Sequence, residues 1–206
     1  ASVIVYNHNE LPPEAAPAAW SDFANPALRG AVGMADPAIA APAYSFVNWF
    51  FNQYGMTDGR AMMSEWFDNG IRIYPKNPNV AMALISGQIK VAALQENNAY
   101  NLLNQNTSYS IVWPKEGAPA SVRVAAISKQ AKHLDAAKAF INFLLDPVVQ
   151  QAMIDMSDEA YHEPSAAEVL PKSDREQSAP LLIPDIQWSE RHEAEIKQWF
   201  ADYSIQ

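Results

Sequence analysis

The stretch Asn69–Tyr100, NGIRIYPKNPNVAMALISGQIKVAALQENNAY, decides the fold. Gly70 stops what precedes it, and Ile71 to Tyr74 has the β-branched and aromatic composition of a strand. Asn79 is a natural cap for a helix running to Ile85, which Gly87 closes. Ile89 to Leu94 is apolar throughout apart from Lys90, as expected of a strand buried on both faces. Asn97 or Asn98 then caps a helix to Gln105. Strand, helix, strand, helix at this spacing predicts an α/β fold: a mixed, mostly parallel sheet with helices on both faces.

The flanks continue the pattern. Ser2 to Asn7 is a strand candidate, followed by Pro- and Ala-rich connection, a helical turn at Ala18 to Ala24 and the breaker Asn25-Pro26. Ala31 to Ala35 reads as a short buried strand ended by Asp36-Pro37. Pro42 to Tyr54 is helical, with Gly55 as its stop, and Thr57 opens a second helix to Asn69. Beyond the central stretch, Tyr109 to Trp113 and Val122 to Ile127 read as strands around a turn at residues 114–119. His133 to Leu145 is an amphipathic helix with Leu134, Ala137, Ile141, Leu144 and Leu145 near one face. Asp146-Pro147 breaks it, and Val148 to Met156 is a further helix. Ser157 to Asp185 reads as an irregular crossing, after which Ser189 caps a last helix from Glu190 to Tyr203.

Composition excludes several function classes. Net charge is −9, with 14 basic against 23 acidic residues, and no basic block offers a phosphate backbone the clustered cations it needs. Nucleic acid is therefore not an expected partner, nor is an anionic membrane surface. The absence of cysteine removes disulfides, thiolate metal sites and thiol nucleophiles. No apolar run reaches the length of a membrane span. Ala1 to Tyr6 lacks the basic and apolar regions of a signal peptide and reads as a strand. There is no G-x-S-x-G, no H-E-x-x-H and no phosphate-cradling glycine loop, and seven glycines leave no room for a dinucleotide fingerprint. An enzyme is not expected, and no cofactor.

Three segments in fixed order carry a family resemblance: VIVYN at 3–7, LPPEAAPAAWSDFANPALRGAVGMADP at 11–37, and the opening stretch at 69–100. They resemble the periplasmic solute-binding proteins of ABC importers of the ferric-iron, phosphonate and sugar-phosphate type. Trp20, Asp22, Pro26 and Gly30 fit the segment that follows that family's hinge strand. WPKEGAPASVRVAAISKQAKHLDAAKAFINFLLDPVVQ, at 113–150, is similar to its second hinge crossing.

The resemblance implies a type II periplasmic-binding-protein-like lobe and a periplasmic location. It implies a small-molecule solute and an ABC permease in the inner membrane as partners. It divides the chain into a hinge strand at 1–9 and a complete second lobe at 10–114. Residues 115–160 are then the hinge crossing and the returning part of the first lobe, and 161–206 an irregular crossing and C-terminal helix. Most of the first lobe would precede this sequence. A ligand-sensing Venus-flytrap domain of a signalling receptor is the alternative function.

Ligand sites in such folds lie where strands end and helices begin. The first such loop holds Asp36, Ala38, Ile39 and Ala40. The family often places Ser, Thr and Gly there to hold an anion; here the hydroxyls are gone and Pro42 removes one N–H, leaving backbone donors or a plain turn. The second holds Asn77, which either points an amide into the cleft or leaves the work to Asn79 as a cap. The third holds Glu96, Asn97, Asn98 and Tyr100. Ferric-binding relatives carry two adjacent tyrosines there; with Ala99 beside Tyr100, the pair is incomplete and iron is not expected. Glu96, Asn97 and Tyr100 are then hydrogen-bonding candidates, or else Asn is a cap and Tyr100 packs. Glu116 in the turn is a weaker candidate. Tyr161 and His162, with Glu159 and Glu163, match no metal-ligand spacing.

Overall fold

The computed structural model describes residues 1–122, 124–156, 169 and 179–204. In chain order the elements are β1 (Ser2–Asn7), β2 (Val32–Ala35), α1 (Ala41–Asp68), β3 (Arg72–Tyr74), α2 (Asn77–Ile85) and β4 (Val91–Gln95). They continue with α3 (Glu96–Gln105), β5 (Tyr109–Val112), β6 (Ala118–Pro119), α4 (Leu134–Leu144), α5 (Pro147–Asp155), β7 (Leu181–Leu182) and α6 (Ile186–Ser204). Two compact units result. One is Ala1–Ser121 with Ala179–Gln206, and the other is Val122–Ser178.

The first unit is built on a sheet of order β3-β2-β4-β1-β5. β2 is parallel to β3 and to β4, while β1 is antiparallel to both β4 and β5. Its registers pair Ser2 with Gln95 and Ile4 with Val112. The mixed sheet expected from the alternation is therefore present, and alternate side chains show why both faces are covered. Ile4, Val32, Met34, Val91 and Ala93 meet α1, α6 and the 20–28 segment. Val3, Val5, Ala92 and Leu94 meet α2 and α3 on the other face. With both faces apolar, neither can turn to water, and helices on each side are required.

The larger core is aromatic. Trp20 lies 4.7 Å from Phe46, and Trp66 lies 5.2 Å from Phe23 and 5.3 Å from Phe50, ring centre to ring centre. These rings join the two halves of α1, which is broken at Gly55 (φ 80°, ψ 170°). That conformation is open to glycine alone, so the stop read from the sequence is a bend inside one helical segment. At Gly117, φ is +111° and an added Cβ would lie 2.6 Å from Leu182 Cγ. Glycine is needed there for β6 to approach β7, with which it pairs in parallel.

Several boundaries differ from expectation. α2 begins at Asn77, so Asn79 sits inside the first turn and is not the cap. β4 starts two residues later than expected, and α3 follows it directly from Glu96, leaving no loop for Asn97 or Asn98 to cap. α6 starts at Ile186 because Asp185 Oδ1 accepts the Trp188 N–H at 2.6 Å; Ser189 instead donates its hydroxyl back to the Asp185 carbonyl. Among the described residues of 122–127 there is no strand. Val122 and Val124 are exposed and have no neighbouring strand, and β propensity without a ladder partner does not make a strand.

In the second unit α4 and α5 are as read, with Asp146 Oδ1 capping α5 at Val148 N, 2.8 Å. No residue of α4 is buried, and Leu134, Phe140, Phe143 and Leu145 are exposed. Tyr161, His162, Glu159 and Glu163 lie outside the described residues. No helix among the described residues is long and apolar enough to cross a membrane.

Candidate functional site

Because β2, β3 and β4 are parallel, their C-terminal ends Ala35, Tyr74 and Gln95 fall on one edge of the sheet. α1, α2 and α3 each begin just beyond, so three helix N-termini gather there with N–H groups that lack intrahelical acceptors. β1 runs the other way, and its Ser2 opposite Gln95 joins the same edge. A depression opens there, floored by Met34, Ala43, Phe46, Ala93 and Leu94, with Ser2 and Asn77 as polar lining.

Asn77 is the first residue of α2 and 7% exposed. Its Oδ1 accepts the Gln95 N–H at 3.0 Å, tying α2 to the β4–α3 junction. That bond also fixes the amide's orientation, since only the oxygen accepts. The NH2 group is left to donate elsewhere. Of the residues at 77–79, Asn77 lines the depression, and Asn79 lies in the first turn of α2 without capping it.

Asp36 spends the donors of its own loop. Its Oδ1 accepts from Ala38 N at 2.7 Å, and its carbonyl accepts from Ile39 N at 3.2 Å and Ala40 N at 2.8 Å. The backbone donors expected to remain at Ala38, Ile39 and Ala40 are therefore engaged in the turn. Ile39 projects its side chain, 59% exposed.

At α3, Glu96 is 2% exposed, with Oε2 3.3 Å from the Ala1 amino group. Asn97 and Asn98 are half-buried, and the Asn98 amide donates to Asn97 Oδ1 at 3.0 Å. Tyr100 turns inward: it is 4% exposed, its hydroxyl is enclosed, and Ala99 beside it is wholly buried. The two positions of this turn that reach the surface are Asn97 and Asn98, which offer no phenolate. Glu116 is set apart from these loops. Its Oε1 is 3.4 Å from Ser21 N, its Oε2 is enclosed without a partner, and it packs on the turn that holds Trp20, so it is not a solvated turn residue.

The sequence reading missed Ser2, Met34, Ala43, Phe46 and Ala93. A signal was present in the alternation, which puts Met34 and Ala93 on the α1 side of the sheet. No group of His, Cys, Asp or Glu among the described residues is arranged to hold a metal ion. Away from the edge, burial and Glu193 push the Tyr44 phenol up to about 12, and burial raises Tyr109 as well.

Comparison with known proteins adds a match of residues 1–185 to the family model described as bacterial extracellular solute-binding protein. The chain belongs to that family. It is 30% identical over 151 residues to the phosphoglycerate transport regulatory protein PgtC of Salmonella typhimurium, covering 73% of this chain and 37% of PgtC. It spans less than half the length of such relatives. Among solved structures, iron-bound HitA from Pseudomonas aeruginosa is 20% identical with a TM-score of 0.74, over 98% of this chain and 66% of HitA. A periplasmic thiamin-binding protein is 17% identical with a TM-score of 0.78, over 98% and 63%. These likenesses establish the periplasmic-binding-protein fold of this chain. One fold serving iron and thiamin also shows that fold does not choose the ligand.

Proposed function

We propose that the protein containing this chain captures a small solute in the periplasm and delivers it to an ABC permease in the inner membrane. The observation that carries this reading is the convergence of three strand ends and three helix N-termini around Asn77, whose amide is held by Gln95 N–H with its donors left over. Asn77, Asn97 and Asn98 then supply hydrogen bonds to the solute, while Asp36 and Glu96 hold the loops that present them. The family and the related binding proteins support a binding role over a catalytic one.

A calorimetric screen of the full-length protein against phosphoglycerates, phosphonates, polyamines, thiamin and ferric complexes tests the proposal. Saturable binding of one class, weakened in Asn77→Asp, is the expected result. Silence across the whole panel overturns it.

A further inference from the structure

Resting on the capture reading, we infer that this lobe receives a small aliphatic substituent beside a single oxygen acceptor, and not a phosphate group or a metal ion. The acceptor belongs on the Asn77 amide, and the substituent in the depression next to it.

Three observations converge. First, the loop best placed to cradle an oxyanion has little left to give. The N–H groups of Ala38, Ile39 and Ala40 are bound to Asp36, and α1 and α2 each carry a proline, Pro42 and Pro78, in the first turn where a free N–H would otherwise stand. An oxyanion brought out of water needs several donors to replace its hydration, and the β2–α1 loop with the first turns of α1 and α2 supplies few of them.

Second, the floor of the depression is hydrocarbon: Met34, Ala43, Phe46, Ala93 and Leu94. It has room for a group of about one water's size, which is also the size of a methyl group. Water there has only Ser2 and Asn77 to bond to, the least it needs, whereas a methyl group meets five apolar side chains and needs no polar partner.

Third, the polar lining is specific in sign. Asn77 Oδ1 is committed to Gln95 N–H, so what the residue shows to a ligand is an NH2 group, a donor without charge. A carbonyl or carboxylate oxygen satisfies it. A metal ion, which needs several lone-pair donors, finds in Asn77 one amide oxygen that already accepts a hydrogen bond.

The test is a matched series on the full-length protein: glycolate, lactate and 2-hydroxybutyrate, with inorganic phosphate, 3-phosphoglycerate, thiamin and ferric citrate as contrasts. Binding is read by calorimetry. Affinity should rise by about fourfold from glycolate to lactate, the factor carried by burying one carbon, and rise no further to 2-hydroxybutyrate, whose second carbon exceeds the room available. Ala43→Leu, which fills the depression, should erase that gain while the melting temperature reports whether the variant is folded. The wild-type series decides the question even if the variant misfolds. Tightest binding by phosphate, 3-phosphoglycerate, thiamin or ferric citrate, or no gain from glycolate to lactate, overturns this inference and leaves capture standing. A protein that answers to no compound overturns both.

Discussion

On the proposed reading Asn77 uses one amide for two purposes, and two substitutions separate them. Asn77→Ala leaves the enclosed Gln95 N–H without its acceptor and should cost about 1–3 kcal/mol of stability, read by chemical denaturation. Asn77→Asp keeps an acceptor in place, and a carboxylate suits the first turn of a helix. Its stability should therefore stay within about 0.5 kcal/mol of wild type, while ligand binding weakens because the donor has become an acceptor. Equal loss of stability in both variants would show that the NH2 group, and not Oδ1, matters to the fold.

Tyr44 gives a second prediction at this scale. Its hydroxyl lies 3.0 Å from the Ser189 carbonyl and 3.3 Å from Asn48 Oδ1, between α1 and α6. With its pKa raised from 10.0 to about 12, the native state holds this proton more tightly than the unfolded chain. The contribution is complete below pH 10 and is lost as pH rises toward 12. Denaturation curves taken across that window should show a steeper decline for wild type than for Tyr44→Phe. A spectrophotometric titration should show the same variant lacking the highest phenol step.

Among elements, the glycine at position 55 makes the sharpest case. An added Cβ at Gly55 meets nothing within 4 Å, so any penalty comes from the backbone alone. Gly55→Ala should lower stability by about 1–3 kcal/mol, measurable as a lower denaturation midpoint with an unchanged slope. The break itself was legible, because glycine after an apolar helical run has few other readings. The element order and the doubly covered sheet were legible for a similar reason: Ile89 to Leu94 has no polar face to offer water.

What was not legible depended on contacts distant in sequence. Asn79, Asn97 and Asn98 are all good caps by residue type, but Lys76 and Gln95 take the cap positions because β3 and β4 run straight into their helices. Asp185 displaced Ser189 on the same principle. Val122 to Ile127 has strand composition without a strand to pair with. In the site, Asn77 was foreseeable from its place after a strand, whereas the orientation of its amide came from Gln95, eighteen residues on. Tyr100, open in the sequence to either hydrogen bonding or packing, is buried, because the turn from which α3 starts sets which of its residues face out.

For the molecule as a whole, the exposed face of α4 is the clearest liability. Phe140 and Phe143 form an exposed apolar pair on a helix with no buried residue, their rings stacked with centres 6.4 Å apart, and Leu134 and Leu145 are exposed at its ends. Contiguous apolar surface of this kind binds apolar partners. The 206-residue chain on its own should bind an apolar fluorescent dye and self-associate. Phe140→Glu with Phe143→Glu should abolish both, as read by dye titration and sedimentation. The thermal transition of the unit containing Trp20 and Trp66, followed by tryptophan fluorescence, should not move.

β1 carries a consequence for how the chain acquires this structure. It precedes the other four strands of its sheet, yet it lies between β4 and β5, and its ladder partners begin only at residue 91. During synthesis a segment whose residues 2–6 all end up buried must wait, unpaired, until β4 at residues 91–95 has left the ribosome, and longer still for β5. Such long-range closure makes for slow folding and prolonged exposure of a sticky segment. A chain that must cross a membrane before it folds would find that delay useful. A circular permutant that places β1 directly after β5 should refold faster at equal stability.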